Sequence, residues 1–218
     1  MIDKEIGWTS FDVVNKIRVA LRDYLGIRKI KVGHAGTLDP LASGLVIICT
    51  GKATKQIRQW QDLQKTYEAA LKFGETTPSY DLETAVDHTL PWDHITREDF
   101  EKALERFTGE IDQVPPVFSA KSIGGKRAYN YARKGKTVEL KPARVTINRL
   151  NILSYRLPEV KLMIECSKGT YIRALARDLG EALNSGAHLT ALRRLQIGTH
   201  HVSDAMTVKN FEKRLKQM

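Results

Sequence analysis

The stretch Gly33-His34-Ala35-Gly36-Thr37-Leu38-Asp39-Pro40-Leu41-Ala42-Ser43-Gly44 decides how this chain is read. It holds one carboxylate, one imidazole and three glycines in twelve residues, between apolar strand-like runs. Glycines permit backbone geometries that other residues resist, so this is a shaped loop. Pro40 restricts the residue before it to an extended conformation, and proline suits the first turn of a helix. The local expectation is therefore a strand-to-helix corner with Asp39 as helix N-cap. Two readings fit. Asp39 is a capping aspartate in a tight turn, or it is a carboxylate fixed at the corner of a cleft.

The surrounding composition narrows the choice. The chain has 218 residues, 42% of them hydrophobic and 28% charged, enough to bury a core. Its formal net charge of +10 points to a polyanionic partner, most simply nucleic acid. No apolar run reaches the length of a membrane span and no signal peptide is visible. Cys49 and Cys166 lie in apolar runs and read as buried thiols in a reducing compartment, hence a cytoplasmic protein. The histidines show no metal-ligand spacing, and neighbouring His200 and His201 read as solvated.

Along the chain, Val13, Val14, Ile17 and Leu21 recur at helical spacing, with Ser10 as the expected cap and Gly26 as the stop. Leu45 to Cys49 reads as one buried strand. Thr50 to Lys55 leads into a helix through Ile57, Trp60 and Leu63; it lacks the glycine spacing of a phosphate-binding loop. From Lys65 to Phe73 the pattern alternates, with Tyr67, Ala69, Leu71 and Phe73 on one face. Gly74 to Asp93 reads as loop. Thr96 caps a helix with Phe100, Ala103, Leu104 and Phe107 inward, ended by Gly109. Asp112 to Gly135 interleaves five Lys/Arg residues with Phe118, Tyr129 and Tyr131, as suits a segment that clasps RNA; a solvated hairpin is the plainer reading. Strands follow over Val138 to Tyr155 and Val160 to Cys166. A helix then opens near Arg173 with Thr170 as cap, and Arg193-Arg194 sit in an apolar run. An arginine in a first helical turn opposes the helix dipole, so a carboxylate or phosphate should hold Arg173. Thr207 to Gln217 is a terminal helix. No linker or repeat divides the chain.

Asp39, Tyr67, Arg173 and His34 are the polar groups left to carry chemistry. An ionised carboxylate held by an arginine serves as nucleophile or base. Cofactor-free chemistry on a nucleoside flipped out of RNA fits that inventory.

The twelve-residue stretch resembles the active-site motif of the TruB family of tRNA pseudouridine-55 synthases. Further matches follow in the same order: Lys65-Thr66-Tyr67; Gln113-Val114-Pro115-Pro116-Val117-Phe118-Ser119-Ala120-Lys121; Gly125-Lys126-Arg127-Ala128-Tyr129 with Ala132-Arg133-Lys134-Gly135; and Cys166-Ser167-Lys168-Gly169-Thr170-Tyr171-Ile172-Arg173. The resemblance implies isomerisation of the T-loop uridine of tRNA to pseudouridine, with no cofactor and no metal. It puts the catalytic aspartate on Asp39, the base-stacking tyrosine on Tyr67, the arginine paired with the aspartate on Arg173, and a pocket-lining ring on Tyr171. It puts His34 against the flipped nucleotides. Within the clasp, Lys121, Lys126, Arg127 and Tyr129 are the expected RNA-binding residues.

The implied fold is α+β, a mixed and mainly antiparallel sheet flanked by helices. Residues 1–218 form a single catalytic domain, with 112–135 as the RNA-clasping insertion and no C-terminal PUA domain. The implied partner is the T-arm stem-loop of tRNA, bound by a monomer. Asp3-Lys4-Glu5 departs from the family's Asp-Lys-Pro, and Thr77 to Thr84 departs from its acidic, glycine-ended loop, keeping Asp81. A non-catalytic RNA-binding protein or tRNA folding helper of the same fold is the alternative, and an isomerase acting on other RNA is a second.

Overall fold

The computed structural model describes residues 1–119, 122–123, 126–127 and 140–217. Its chain forms two compact units, one of residues 1–68 and 192–218, the other of residues 69–191. The divisions fall inside strands β5 (Lys65–Phe73) and β13 (Ala187–Ile197).

In the first unit, β1 (Ile2–Lys4) runs antiparallel to β3 (Ala42–Val46), and β3 runs parallel to β13, giving the order β1–β3–β13. A separate ribbon pairs β2 (Val32–His34) with β4 (Ile48–Thr50). Helix α1 (Ser10–Leu25) turns Val13, Val14 and Ile17 inward against Ile2 and Val32, as its spacing predicts. The terminal helix α5 (Val208–Lys216), capped by Thr207, adds Val208 and Phe211 to that cluster. A second cluster joins Ala35, Leu45, Ile47, Cys49 and Ile197, with Ile57 and Trp60 of helix α2 (Ile57–Asp62) packed against it. Both cysteines are buried and unbridged, and burial pushes the Cys49 thiol up.

In the second unit the order is β5, β12 (Glu159–Cys166), β11 (Ala143–Arg156), β8 (Gly109–Gln113). Both β12 and β8 run antiparallel to β11. Buried and half-buried residues alternate along β5, as the sequence predicts. Helix α3 (Arg97–Arg106) packs Phe100 edge-on to Phe73 at 5.7 Å between ring centroids. Helix α4 (Ile172–Ala182) buries Leu175 and Leu179.

Several local expectations are corrected. Asp39 caps no helix. Ala42 N–H donates to Asp39 C=O at 3.1 Å, and this turn delivers the chain into strand β3, because Ala42, Leu45 and Val46 have a buried sheet to join. The expected strand over 45–49 is two strands broken at Ile47. Thr9, not Ser10, caps α1, through a reciprocal pair with Asp12. Gly109 opens β8, whereas Phe107 closes α3. A short hairpin, β6 (Glu75–Thr76) with β7 (His88–Thr89), lies within the expected loop 74–93. Tyr171 precedes α4 in place of Thr170, whose hydroxyl turns back to Ser167 C=O at 3.0 Å. His200 is not simply solvated; its ring lies 5.1 Å from that of Trp60.

Gly44 is paired with Arg194 where β3 runs parallel to β13. Its φ is +106°, and a Cβ there would run into the backbone of Arg194. Gly44→Ala is therefore expected to cost about 2 kcal/mol of stability or more through strain and clash. Urea unfolding checks this, and an unchanged midpoint would contradict it.

Candidate active site

In the first unit, the loop joining β2 to β3 carries Asp39 and is fixed at several points. Ser10 Oγ, buried at the start of α1, accepts from Leu38 N–H at 2.8 Å and donates to Leu38 C=O at 3.2 Å. Gly7 N–H donates to Pro40 C=O at 2.8 Å. Arg194, only 1% exposed, donates from Nη2 to Gly36 C=O at 3.0 Å and from Nε to Leu45 C=O at 2.7 Å. The residues on both sides of Asp39 are thus clamped, and the half-buried Asp39 has its backbone placed by its neighbours.

The electrostatics here centre on Lys4, which is fully buried in β1. Its ammonium donates to Trp8 C=O at 2.7 Å and Glu5 C=O at 3.1 Å. Burial pulls its pKa from 10.5 to about 8, Arg194 pushes the same way, and the Asp39 carboxylate opposes both by favouring the ammonium. The same attraction favours the charged carboxylate of Asp39. His34 ends β2, half-buried. Burial holds its imidazole below the usual value, aided by Arg194 and opposed by the Gly36 backbone, so it is neutral at pH 7. Tyr67 is also in this unit, buried on β5.

Tyr171 and Arg173 belong to the second unit. Gln113, 1% exposed at the end of β8, staples the backbone of Tyr171: its Oε1 accepts from Tyr171 N–H at 2.8 Å and its Nε2 donates to Tyr171 C=O at 3.1 Å. This fixes the entry to α4, whose first turn carries Arg173. Arg173 is buried, donating to Ser79 C=O at 2.9 Å and Phe118 C=O at 2.8 Å, with Asp81 Oδ2 at 3.5 Å from its Nε. The expectation that a carboxylate holds an arginine in this helical turn is met by Asp81.

Of the clasp residues, Lys126 and Arg127 form β10, paired with Ile123 and Ser122 of β9 (Ser122–Ile123). Lys121 and Tyr129 lie outside the described residues. Sequence reasoning missed Lys4, Ser10, Gln113 and Arg194 as site-builders. Each works through backbone carbonyls or amides, which leave no signature in residue type. A lysine or arginine amid apolar strand residues was the available hint.

Residues 22–172 match the family model for the TruB family pseudouridylate synthase N-terminal domain, and residues 173–217 match that for the tRNA pseudouridylate synthase B C-terminal domain.

This chain belongs to the TruB family of pseudouridylate synthases.

Among its relatives, tRNA pseudouridine synthase B of Phocaeicola vulgatus is 58% identical over 215 residues, covering 99% of this chain and 92% of the relative. The protein of the same name from Flavobacterium johnsoniae is 48% identical over 217 residues, covering 99% and 95%. Among solved structures, one chain of a Cbf5-Nop10-Gar1 complex superposes with a TM-score of 0.72 at 25% identity. That match covers 97% of this chain and 52% of the other, so this TruB-family chain spans about half of that protein. The family assignment makes the chain an RNA uridine isomerase.

Lys4 yields a pH prediction. Its folded pKa of about 8 lies below the unfolded 10.5, so the unfolded chain binds more protons between those values. Its contribution is fully present above 10.5 and is lost as pH falls through about 8. Relative to Lys4→Met, the wild type should gain unfolding free energy as pH rises from 8 toward 10.5. Parallel pH profiles of the two proteins in urea would contradict this.

Proposed function

We propose that this chain is a tRNA pseudouridine synthase that converts the T-loop uridine, position 55, to pseudouridine, with Asp39 as its catalytic residue. The observation that carries this reading is the clamped loop. Leu38 is held by Ser10, Gly36 and Leu45 by Arg194, and a buried cation favours the charged carboxylate. A carboxylate positioned in advance loses little freedom on reaching the transition state.

The reaction breaks the C1′–N1 glycosidic bond, turns the uracil, and forms a C1′–C5 bond; C5 gives up its proton to solvent and N1 takes one up. An ionised Asp39 starts it, by attack on C1′ or by removing a proton from C2′. Tyr67 is buried on strand β5, and stacking of the freed base on its ring would keep that base turning in its own plane. Tyr171, stapled by Gln113, supplies a second ring, and Arg173 a guanidinium fixed by carbonyls. Neutral His34 offers a ring and a hydrogen bond to displaced nucleotides rather than a charge.

Recognition of the T-arm stem-loop by a monomer rests on the net charge of +10 and on the basic, aromatic segment 112–135, with Lys121, Lys126, Arg127 and Tyr129 as its RNA contacts. Two buried cysteines outside any disulfide suit the reducing cytoplasm.

Tritium release from C5-labelled uridine in tRNA tests the assignment. The wild type should release tritium. Asp39→Asn removes the charge at constant size, so it should abolish release while filter binding of tRNA stays within a few-fold. Turnover by Asp39→Asn near the wild-type rate would exclude Asp39 as the catalytic carboxylate.

A further inference from the structure

Tyr80 stands out in the loop between β6 and β7. Its φ is +61°, in the left-handed region, where a bulky side chain is a true outlier. Glycine or asparagine would fill the same backbone position without that strain. The loop nevertheless holds Tyr80 firmly. Tyr80 N–H donates to Thr77 C=O at 3.0 Å, and Tyr80 C=O accepts from Leu189 N–H at 3.0 Å. Thr77, Ser79 and Asp81 are buried around it. Thr77 Oγ1 and Ser79 Oγ both donate to Asp81 C=O, at 2.7 and 3.2 Å. Arg173 grips the residues on each side, Ser79 through its carbonyl and Asp81 through its carboxylate.

The ring that this strain presents is partly exposed and backed by a cation. The guanidinium of Arg177, one turn along α4 from Arg173, lies 5.0 Å from its centroid. Arg177 is itself occupied. It donates to Asp178 Oδ1 at 2.6 Å and to Val114 C=O at 3.1 Å. Its charge is thereby compensated locally, so its office is to set the ring rather than to hook a phosphate. Anchors on Thr77, Ser79 and Asp81, a cation over the ring, and strain kept for a ring that a smaller residue would avoid suit a ring held ready for a flat partner.

We propose that Tyr80 is a further substrate-contacting residue, an aromatic platform on which an unpaired nucleobase of the RNA stacks. This rests on the reading of the chain as an RNA-modifying enzyme. Splayed loop bases are what such platforms take up, and the contact is indifferent to base identity.

The test uses the full chain with Tyr80→Gly, Tyr80→Asn and Tyr80→Phe. The RNA is a T-arm stem-loop carrying 2-aminopurine at one loop position at a time, read by anisotropy and fluorescence. Tyr80→Gly should melt no lower than the wild type, because the strain is relieved. It should bind the stem-loop about tenfold more weakly, as loss of one base–aromatic stack implies. It should also lose the quenching seen at one loop position with the wild type. Tyr80→Phe should keep both. If Tyr80→Gly does not fold, Tyr80→Asn, which also tolerates the left-handed region, takes its place with the same expectations. Wild-type affinity and quenching in the Gly or Asn variant would overturn the proposal. Quenching without tritium release from tRNA would instead overturn the activity reading and leave the stacking contact standing. Release without Tyr80-dependent quenching would do the reverse.

Discussion

The buried guanidinium of Arg194 is the constraint on which the site in the first unit depends. It spans the loop that carries Asp39, taking the carbonyl of Gly36 on one arm and of Leu45 on the other. Burying a guanidinium is costly unless its donors are satisfied, so this arrangement holds only while both arms stay in place. Within the stretch 33–44, Gly36 and Gly44 have positive φ, and a Cβ on either would meet Arg194, the first its side chain and the second its backbone. Loop shape, glycine placement and strand pairing are therefore one requirement. Ser10 adds the third fixed point, at Leu38, and Asp39 follows with little freedom left.

The second unit repeats the device with different residues. Arg173 and Gln113 are buried and bonded to backbone groups: Ser79 and Phe118 for the arginine, Tyr171 for the glutamine. In both units a long polar side chain reaches from regular structure to hold a loop. Such a bond fixes where a loop lies without specifying the loop's own side chains. The loops stay available for function, and Tyr80 shows what that permits.

Elements governed by periodicity were legible in the sequence. Val13, Val14 and Ile17 placed α1, the alternation from Lys65 to Phe73 placed β5, and Thr96 and Thr207 marked their helices. The motif around Asp39 led to the family. Its local geometry was misread, because proline after aspartate suits a helix start as well as a turn, and only the waiting sheet decides between them. Ser10 looked like a cap for the same reason: neighbouring Thr9 and Ser10 both have the right hydroxyl, and tertiary structure claims one of them for Leu38. Arg194, Lys4 and Gln113 were invisible as anchors since their partners are main-chain atoms brought near by folding. The division into two units left no linker to find, because it runs through the middle of β5 and β13.

The central claim is that the Arg194 clamp sets the position of the Asp39 carboxylate. Single-turnover kinetics of Arg194→Lys at saturating tRNA test it most directly. Lysine keeps the charge but cannot span two carbonyls with a planar fork. The account predicts a rate at least about tenfold below the wild type with tRNA affinity unchanged, since misplacement of a reacting group by a fraction of an ångström is felt in the chemical step. A folded Arg194→Lys enzyme with the wild-type single-turnover rate would contradict it.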